Sequence, residues 1–154
     1  MLVHKLTDAE CRRVFSRARY GRLACVSGEQ PYIVPVALYL DSDEGFVYGF
    51  STLGQKIRWM RENPRVCIEV EEILSRTEWT TVLAFGRYQE IARSGPGAAA
   101  RRRAAELLGK QAEWWLPAAA KLSSGDEHGV PVLYRIRILR MSGRRAQQPK
   151  RDES

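Results

Sequence analysis

Residues Phe46–Pro64 read FVYGFSTLGQKIRWMRENP, and the change of period inside this stretch decides the fold. Phe46, Val47, Tyr48 and Phe50 are β-branched or aromatic and follow the turn Asp-Ser-Asp-Glu-Gly at 41–45, which predicts a strand. The strand breaks at Ser51-Thr52. Ile57 and Met60 then stand three apart with Trp59 beside them, which predicts a short helix from about Leu53. Asn63-Pro64 stops that helix, because the residue before a proline avoids helical backbone angles. Thr52 and Gln55 have the T-x-x-Q spacing of a capping box. That spacing sets the helix start at Thr52 and makes Lys56 its fourth residue.

The junction carries chemistry. A helix start presents N–H groups without partners. Ser51 and Thr52 add hydroxyls, Gly54 permits close backbone approach, and the Lys56 side chain leans back toward the same point. Two readings stand here: a phosphate site, and an ordinary capped surface helix with a solvated lysine. No G-x-x-x-x-G-K-[ST] run is present, so the site is not a Walker loop.

Working back toward the start, Thr7-Asp8-Ala9-Glu10 is another capping box. The apolar stripe Cys11, Val14, Phe15, Ala18 follows it, and Gly21 is placed to end the helix in a left-handed turn. Residues Arg22–Ser27 then read as a strand, residues 28–31 as a turn, and Tyr32–Leu40 as a longer strand with Pro35 in its middle. Proline donates nothing to a ladder. Pro35 therefore marks either a protected edge or a stretch of backbone covered by a flat ligand.

Working forward, Val66–Glu71 alternates as a strand, and Trp79–Ala92 is a long strand with a bend or bulge at Gly86. Residues 98–120 read as helical and end in the apolar anchor Trp114-Trp115-Leu116. Val132–Met141 alternates strictly, with Tyr134, Ile136 and Ile138 on one face and Arg135, Arg137 and Leu139 on the other. The polar residues from 144 onward are expected to form a disordered tail. The organisation is thus one domain over 1–143 and a basic tail over 144–154. Short antiparallel strands without βαβ alternation and without G-x-G-x-x-G predict a mainly β fold, a small barrel with peripheral helices rather than a Rossmann sheet.

Bulk properties agree with one globular domain: 154 residues, 44% hydrophobic and 28% charged. No apolar run approaches a membrane span, and no secretory leader is recognisable. Three widely spaced cysteines, Cys11, Cys25 and Cys67, suit reduced thiols in the cytoplasm. Two histidines, His4 and His128, make a histidine-rich metal centre unexpected. The net charge of +7 is concentrated in arginine clusters. These permit a polyanion partner, although no nucleic-acid-binding motif accompanies them.

The order of these pieces resembles the FMN-binding split-barrel family, the pyridoxamine 5′-phosphate oxidase-like superfamily, and within it the branch of small proteins that includes the nitroimidazole-resistance type. The resemblance is carried by Tyr20-Gly21-Arg22-Leu23-Ala24, Pro31 to Val36, Tyr48 to Thr52 with Gly54-Gln55-Lys56, Asn63 to Val66, and Trp79 to Val82 with Gly86. It implies an antiparallel split β-barrel and a homodimer with FMN at the subunit interface. It implies that Val34, Pro35 and Val36 lie along the flavin ring and ribityl chain. Phe50, Ser51 and Thr52 would line the ring and phosphate end, Gln55 and Lys56 would hold the phosphate, and Trp79 would approach from the partner subunit. The implied activity is flavin-dependent transfer of electrons from NAD(P)H to a small acceptor. The alternative is a non-catalytic carrier or sensor of flavin, deazaflavin or haem. The C-terminal tryptophan–arginine pattern of the vitamin B6 oxidases is not evident in VLYRIRILRMSGRR, so that substrate is not expected.

Overall fold

A computed structural model of the chain describes residues 1–92, 95–109 and 132–148. The elements run β1 (Leu2–Lys5), α1 (Asp8–Arg17), β2 (Tyr20–Ser27), β3 (Gln30–Ala37), β4 (Tyr39–Asp41), β5 (Phe46–Ser51), α2 (Gln55–Glu62), β6 (Arg65–Ile73), β7 (Trp79–Glu90), α3 (Ala98–Gly109) and β8 (Val132–Gln147). The strands form one antiparallel sheet in the order β3-β2-β6-β7-β8-β5-β4, and β1 also pairs with β8. β3 runs into β4 with only Leu38 between them. The two ends of the sheet are therefore joined by the chain and not by a ladder, which is the split of a split barrel.

The barrel interior is filled by side chains of period two from the strands and by one face of each of the first two helices. Leu23, Ile68, Val82 and Ile136 come from strands, Val14 and Phe15 from α1, and Ile57 and Met60 from α2. A second, smaller cluster lies outside the barrel wall, where Ala104 and Leu108 of α3 cover Tyr39, Phe46 and Tyr48. An ion pair pins α3 in place. Asp41 is 1% exposed, and its carboxylate accepts from Arg103 Nε at 2.6 Å and Nη2 at 3.1 Å. The guanidinium holds the Asp41 carboxyl below the usual carboxylate range, and the N–H groups of Asp43 and Glu44 add to this.

Several sequence expectations need correction. Gly21 does not end α1. The helix ends at Ala18, in extended backbone, and Gly21 is a buried residue of β2 whose added Cβ would stand 2.7 Å from the Glu69 carbonyl oxygen. The long strand over 32–40 is two strands: Gln30–Ala37 pairs with β2 and Tyr39–Asp41 with β5, and at the join Leu38 N–H donates to the Arg19 carbonyl. The tail does not begin at residue 144. β8 continues through Gln147, with Arg144 and Arg145 paired to Lys5 and His4 of β1, a strand the polar opening of the chain does not advertise. Gly86 does mark a bulge, since the register between β7 and β8 shifts at Phe85/Gly86. An added Cβ at Gly86 would stand 2.6 Å from the Arg137 carbonyl oxygen, so the close approach there requires glycine. Leu139 is the extra residue opposite, 66% exposed, and it returns Arg140 to the outer face. The expected Trp114-Trp115 anchor and His128 lie outside the described residues. Among the described residues, no helix is long and apolar enough to cross a membrane.

Candidate functional site

The sheet order explains Pro35. β3 is an end strand, hydrogen-bonded along its length to β2 alone, with Pro35 opposite Arg22. Its missing N–H therefore deprives no ladder partner. Val34 and Val36 turn inward and pack on the core, while Pro35 is exposed. Phe50 and Ser51 close β5, opposite Leu133 and Val132 of β8. The Tyr32 and Trp59 rings meet edge-on at 5.5 Å, which fastens α2 to β3. The edge of β3, the end of β5 and the start of α2 thus frame one region.

The start of α2 differs from the sequence expectation. The helix begins at Gln55, its N-cap is Gly54 in extended backbone, and no side chain caps it. The Thr52–Gln55 capping box does not form. The Ser51 hydroxyl donates instead to the Thr52 carbonyl at 3.0 Å, and Thr52 and Gln55 are exposed. Lys56 is accordingly the second residue of the helix, not the fourth. It stands in the first turn, where the helix dipole is positive and a cation is disfavoured.

Lys56 is half-buried and makes no ion pair among the described residues. Burial pushes its ammonium pKa down, while Cys25 works in the opposite direction. Burial in turn raises the Cys25 thiol pKa, which Lys56 offsets. Cys25 is 4% exposed and sits opposite Tyr32, so the lysine is laid over β2 beside the Tyr32–Trp59 contact. An uncapped helix start and an uncompensated cation at one point suit a bound anion. A phosphate would accept from the free N–H groups and neutralise the ammonium together. The residues present therefore fit the phosphate end of a flavin mononucleotide.

Trp79 does not join this group. It begins β7, between Ile73 of β6 and Ala146 of β8. Sequence reasoning missed Gly54 as the cap, Cys25 beneath the lysine and the Tyr32–Trp59 clasp. The only available signal was the glycine in S-T-L-G-Q-K, which leaves a helix start without a side-chain cap. Two cavities open elsewhere, one of about 180 Å³ bordered by Arg12, Leu40 and Met141 and one of about 320 Å³ bordered by Arg19, Tyr39 and Leu107. Neither includes a residue of the region around Lys56. Among the described residues no cluster of metal-ligating side chains is present.

The pyridoxamine 5′-phosphate oxidase family matches residues 7–145. An uncharacterised protein of Rhizobium meliloti strain 1021 is 36% identical over 151 residues, which span 95% of this chain and 97% of that one. The crystal structure of an FAD-binding protein from Mesorhizobium loti is 36% identical with a TM-score of 0.76, covering 96% of this chain and 99% of that chain. A candidate 5-nitroimidazole antibiotic resistance protein of Bacteroides thetaiotaomicron shares the fold at 14% identity and a TM-score of 0.64, covering 96% of this chain and 93% of that chain.

Proposed function

This chain belongs to the pyridoxamine 5′-phosphate oxidase-like FMN-binding split-barrel family, and from that premise we propose that it binds FMN and passes electrons from NAD(P)H to a small acceptor. The observation that carries the proposal is Lys56, a half-buried cation with no ion pair among the described residues, at an uncapped helix start. A flavin, when bound, supplies the redox chemistry, and the protein supplies binding, orientation and electrostatics. Lys56 and the first N–H groups of α2 hold the phosphate. Ser51 and Thr52 present hydroxyls beside it. Pro35, the backbone of Val34 and Val36, and Phe50 offer the border along which the ring and ribityl chain lie, and Gln55 closes the phosphate end. No catalytic acid or base is assigned.

The functional unit in this reading is a homodimer with the flavin at the subunit interface, where Trp79 is contributed by the partner. Exposed apolar side chains on one outer face support it. Ile33 is 62% exposed and Leu83 37%. Leu83 stands in one register row with Glu69, Arg22 and the exposed Pro35. Three free cysteines support a reducing compartment, the cytoplasm.

The test is the visible spectrum of the protein after FMN addition and desalting, followed by steady-state oxidation of NADH and NADPH. Retained flavin bands and turnover with an added acceptor are the expected result. Retained flavin without turnover removes the electron-transfer activity and leaves a carrier. A colourless protein that fails to retain FMN overturns the proposal.

A further inference from the structure

β8 has β7 along one edge, while its other edge is shared and interrupted. β5 takes Val132 to Arg137, and β1 takes Arg144 to Gln147. At the limits of the gap, Ile138 N–H donates to the Gly45 carbonyl at 3.0 Å and Leu6 N–H donates to the Gly143 carbonyl at 3.1 Å. Residues 139–142 meet no strand on that edge among the described residues. The bulge absorbs Leu139, so Met141 turns its N–H and C=O to the same edge as Gly143 and has no ladder partner there. The cavity of about 180 Å³ opens at this gap. Its floor is Leu40, Ile138 and Met141, half-buried side chains packed on the barrel core. One wall is α1, which contributes Asp8 and Arg12.

Asp8 and Arg12 stand one helical turn apart, the spacing at which opposite charges on a helix ordinarily pair. Here neither makes an ion pair among the described residues. Arg140, also on the border, lays its guanidinium over the Phe85 ring, 3.8 Å from the centroid. Arginines without an ion pair recur over this surface. Arg12 differs in having an unengaged acid beside it on the border of one cavity, whereas the cavity of about 320 Å³ is bordered by arginines and no acid. We propose that the smaller cavity binds a free α-amino acid with an apolar side chain. Its carboxylate takes Arg12 and the Met141 N–H, its ammonium takes Asp8 and the Met141 carbonyl, and its side chain rests on Leu40 and Ile138. A zwitterion supplies acceptor and donor together, as a residue of a neighbouring strand would. A ligand of one charge would leave Asp8 or Arg12 unanswered. The cavity is below the roughly 300–1,000 Å³ of sites for drug-sized ligands, which makes it small for a nucleotide and suited to a single amino acid. None of the residues around Lys56 takes part, so this site stands apart from the flavin reading.

The experiment titrates the full-length protein with L-leucine at neutral pH, as purified and after FMN addition, by calorimetry and by backbone NMR. Binding is expected in both preparations, with the Met141 amide signal among those that move. It should be about tenfold weaker for L-alanine, which leaves the floor uncovered. It should also be about tenfold weaker for N-acetyl-L-leucine, which lacks the ammonium, and for L-leucinamide, which lacks the carboxylate. Arg12→Gln should weaken leucine about tenfold and leave leucinamide unaffected. Asp8→Asn should weaken leucine about tenfold and leave N-acetyl-leucine unaffected. Both residues are exposed, so both variants should melt near the parent.

Leucine binding unchanged in either variant overturns the proposal. So does the absence of binding at about 10 mM leucine, an affinity too weak to count as a site. N-acetyl-leucine or leucinamide binding as tightly as leucine also overturns it and makes the cavity a site for a plain anion or a plain cation. Alanine or glutamate binding as tightly as leucine removes the role of the apolar floor, and the proposal falls. Amide shifts confined to residues away from 139–142 place the amino acid elsewhere and overturn it as well. A protein that fails to hold FMN yet binds leucine in the expected pattern loses the flavin reading and keeps this one.

Discussion

Two helix starts in this molecule face the same physical problem. At α1, Glu10 N–H donates to the Thr7 hydroxyl oxygen at 3.3 Å, and Thr7 N–H donates to the Glu10 carboxylate at 2.9 Å. The box is complete, and Asp8 and Glu10 place negative charge at the positive end of the helix dipole. At α2 there is no side-chain cap, no acid in the first turn, and a lysine where the dipole opposes one. The first start is satisfied by its own residues and belongs to the architecture. The second is left incomplete by its own residues, and the proposed function places an external anion there. A helix start that the fold leaves unsatisfied is a better pointer to a ligand than one that merely contains the right residue types.

The largest expected effect is at the open start. Lys56→Ala should weaken FMN binding roughly tenfold to a hundredfold, the loss of a charge-assisted contact worth about 1.5–3 kcal/mol, while leaving the melting temperature near that of the parent. Quenching of flavin fluorescence on titration measures it, and an affinity within threefold of the parent would break the comparison. Next comes the closed start. Thr7→Ala should cost about 1 kcal/mol of stability in chemical denaturation, with flavin affinity unchanged.

Smaller still is Gly54→Asp, which gives α2 the cap it lacks. The apo protein should gain a few tenths of a kcal/mol, and FMN should bind more weakly because a carboxylate now occupies the anion's place. Tighter binding in this variant would contradict the arrangement proposed.

The pH responses sharpen the contrast through their opposite signs. Thr7 holds the Glu10 carboxyl pKa below its ordinary value. The support it gives α1 is therefore present above the unfolded pKa and lost as pH falls through the folded one. Burial holds the Lys56 pKa below that of a free lysine. Between the two values the unfolded chain binds more protons, so apo stability gains from this group as pH rises through that window. FMN affinity should fall over the same range, as the ammonium loses its proton. Thermal melts of the apo protein and flavin titrations at matched pH check both signs.

The periodic features were legible in the sequence because period two and period 3.6 are visible in the order of residues. Met60 and Ile57 announce α2, Cys11 to Phe15 announce α1, and Gly86 announces the bulge. Equal spacing misleads at Thr52. T-x-x-Q matches a box as well as T-x-x-E at Thr7 does, yet the chain does not turn helical until Gln55 and no side chain caps the helix. Pairing across the sheet was not legible at all. Arg65, Arg87 and Arg137 are far apart in sequence, and only the register brings them into line. For the same reason β1 was hidden: Leu2–Lys5 is exposed throughout and owes its structure to the backbone of β8.

The position of β8 has a further consequence, for synthesis. Of the described strands, β8 leaves the ribosome after all the others, and it is the one that joins β7 to β5 and also receives β1. Until it emerges, the nascent chain can form the ribbon β3-β2-β6-β7 and the hairpin β4-β5, but the flanks of β7 and β5 stay open to any passing strand. Completing the sheet then requires contacts between β8 and β1, strands far apart in sequence, the kind that makes folding slow and leaves intermediates prone to aggregation. A chain terminated before Val132 should therefore accumulate as insoluble material, even though it retains every residue assigned here to the flavin.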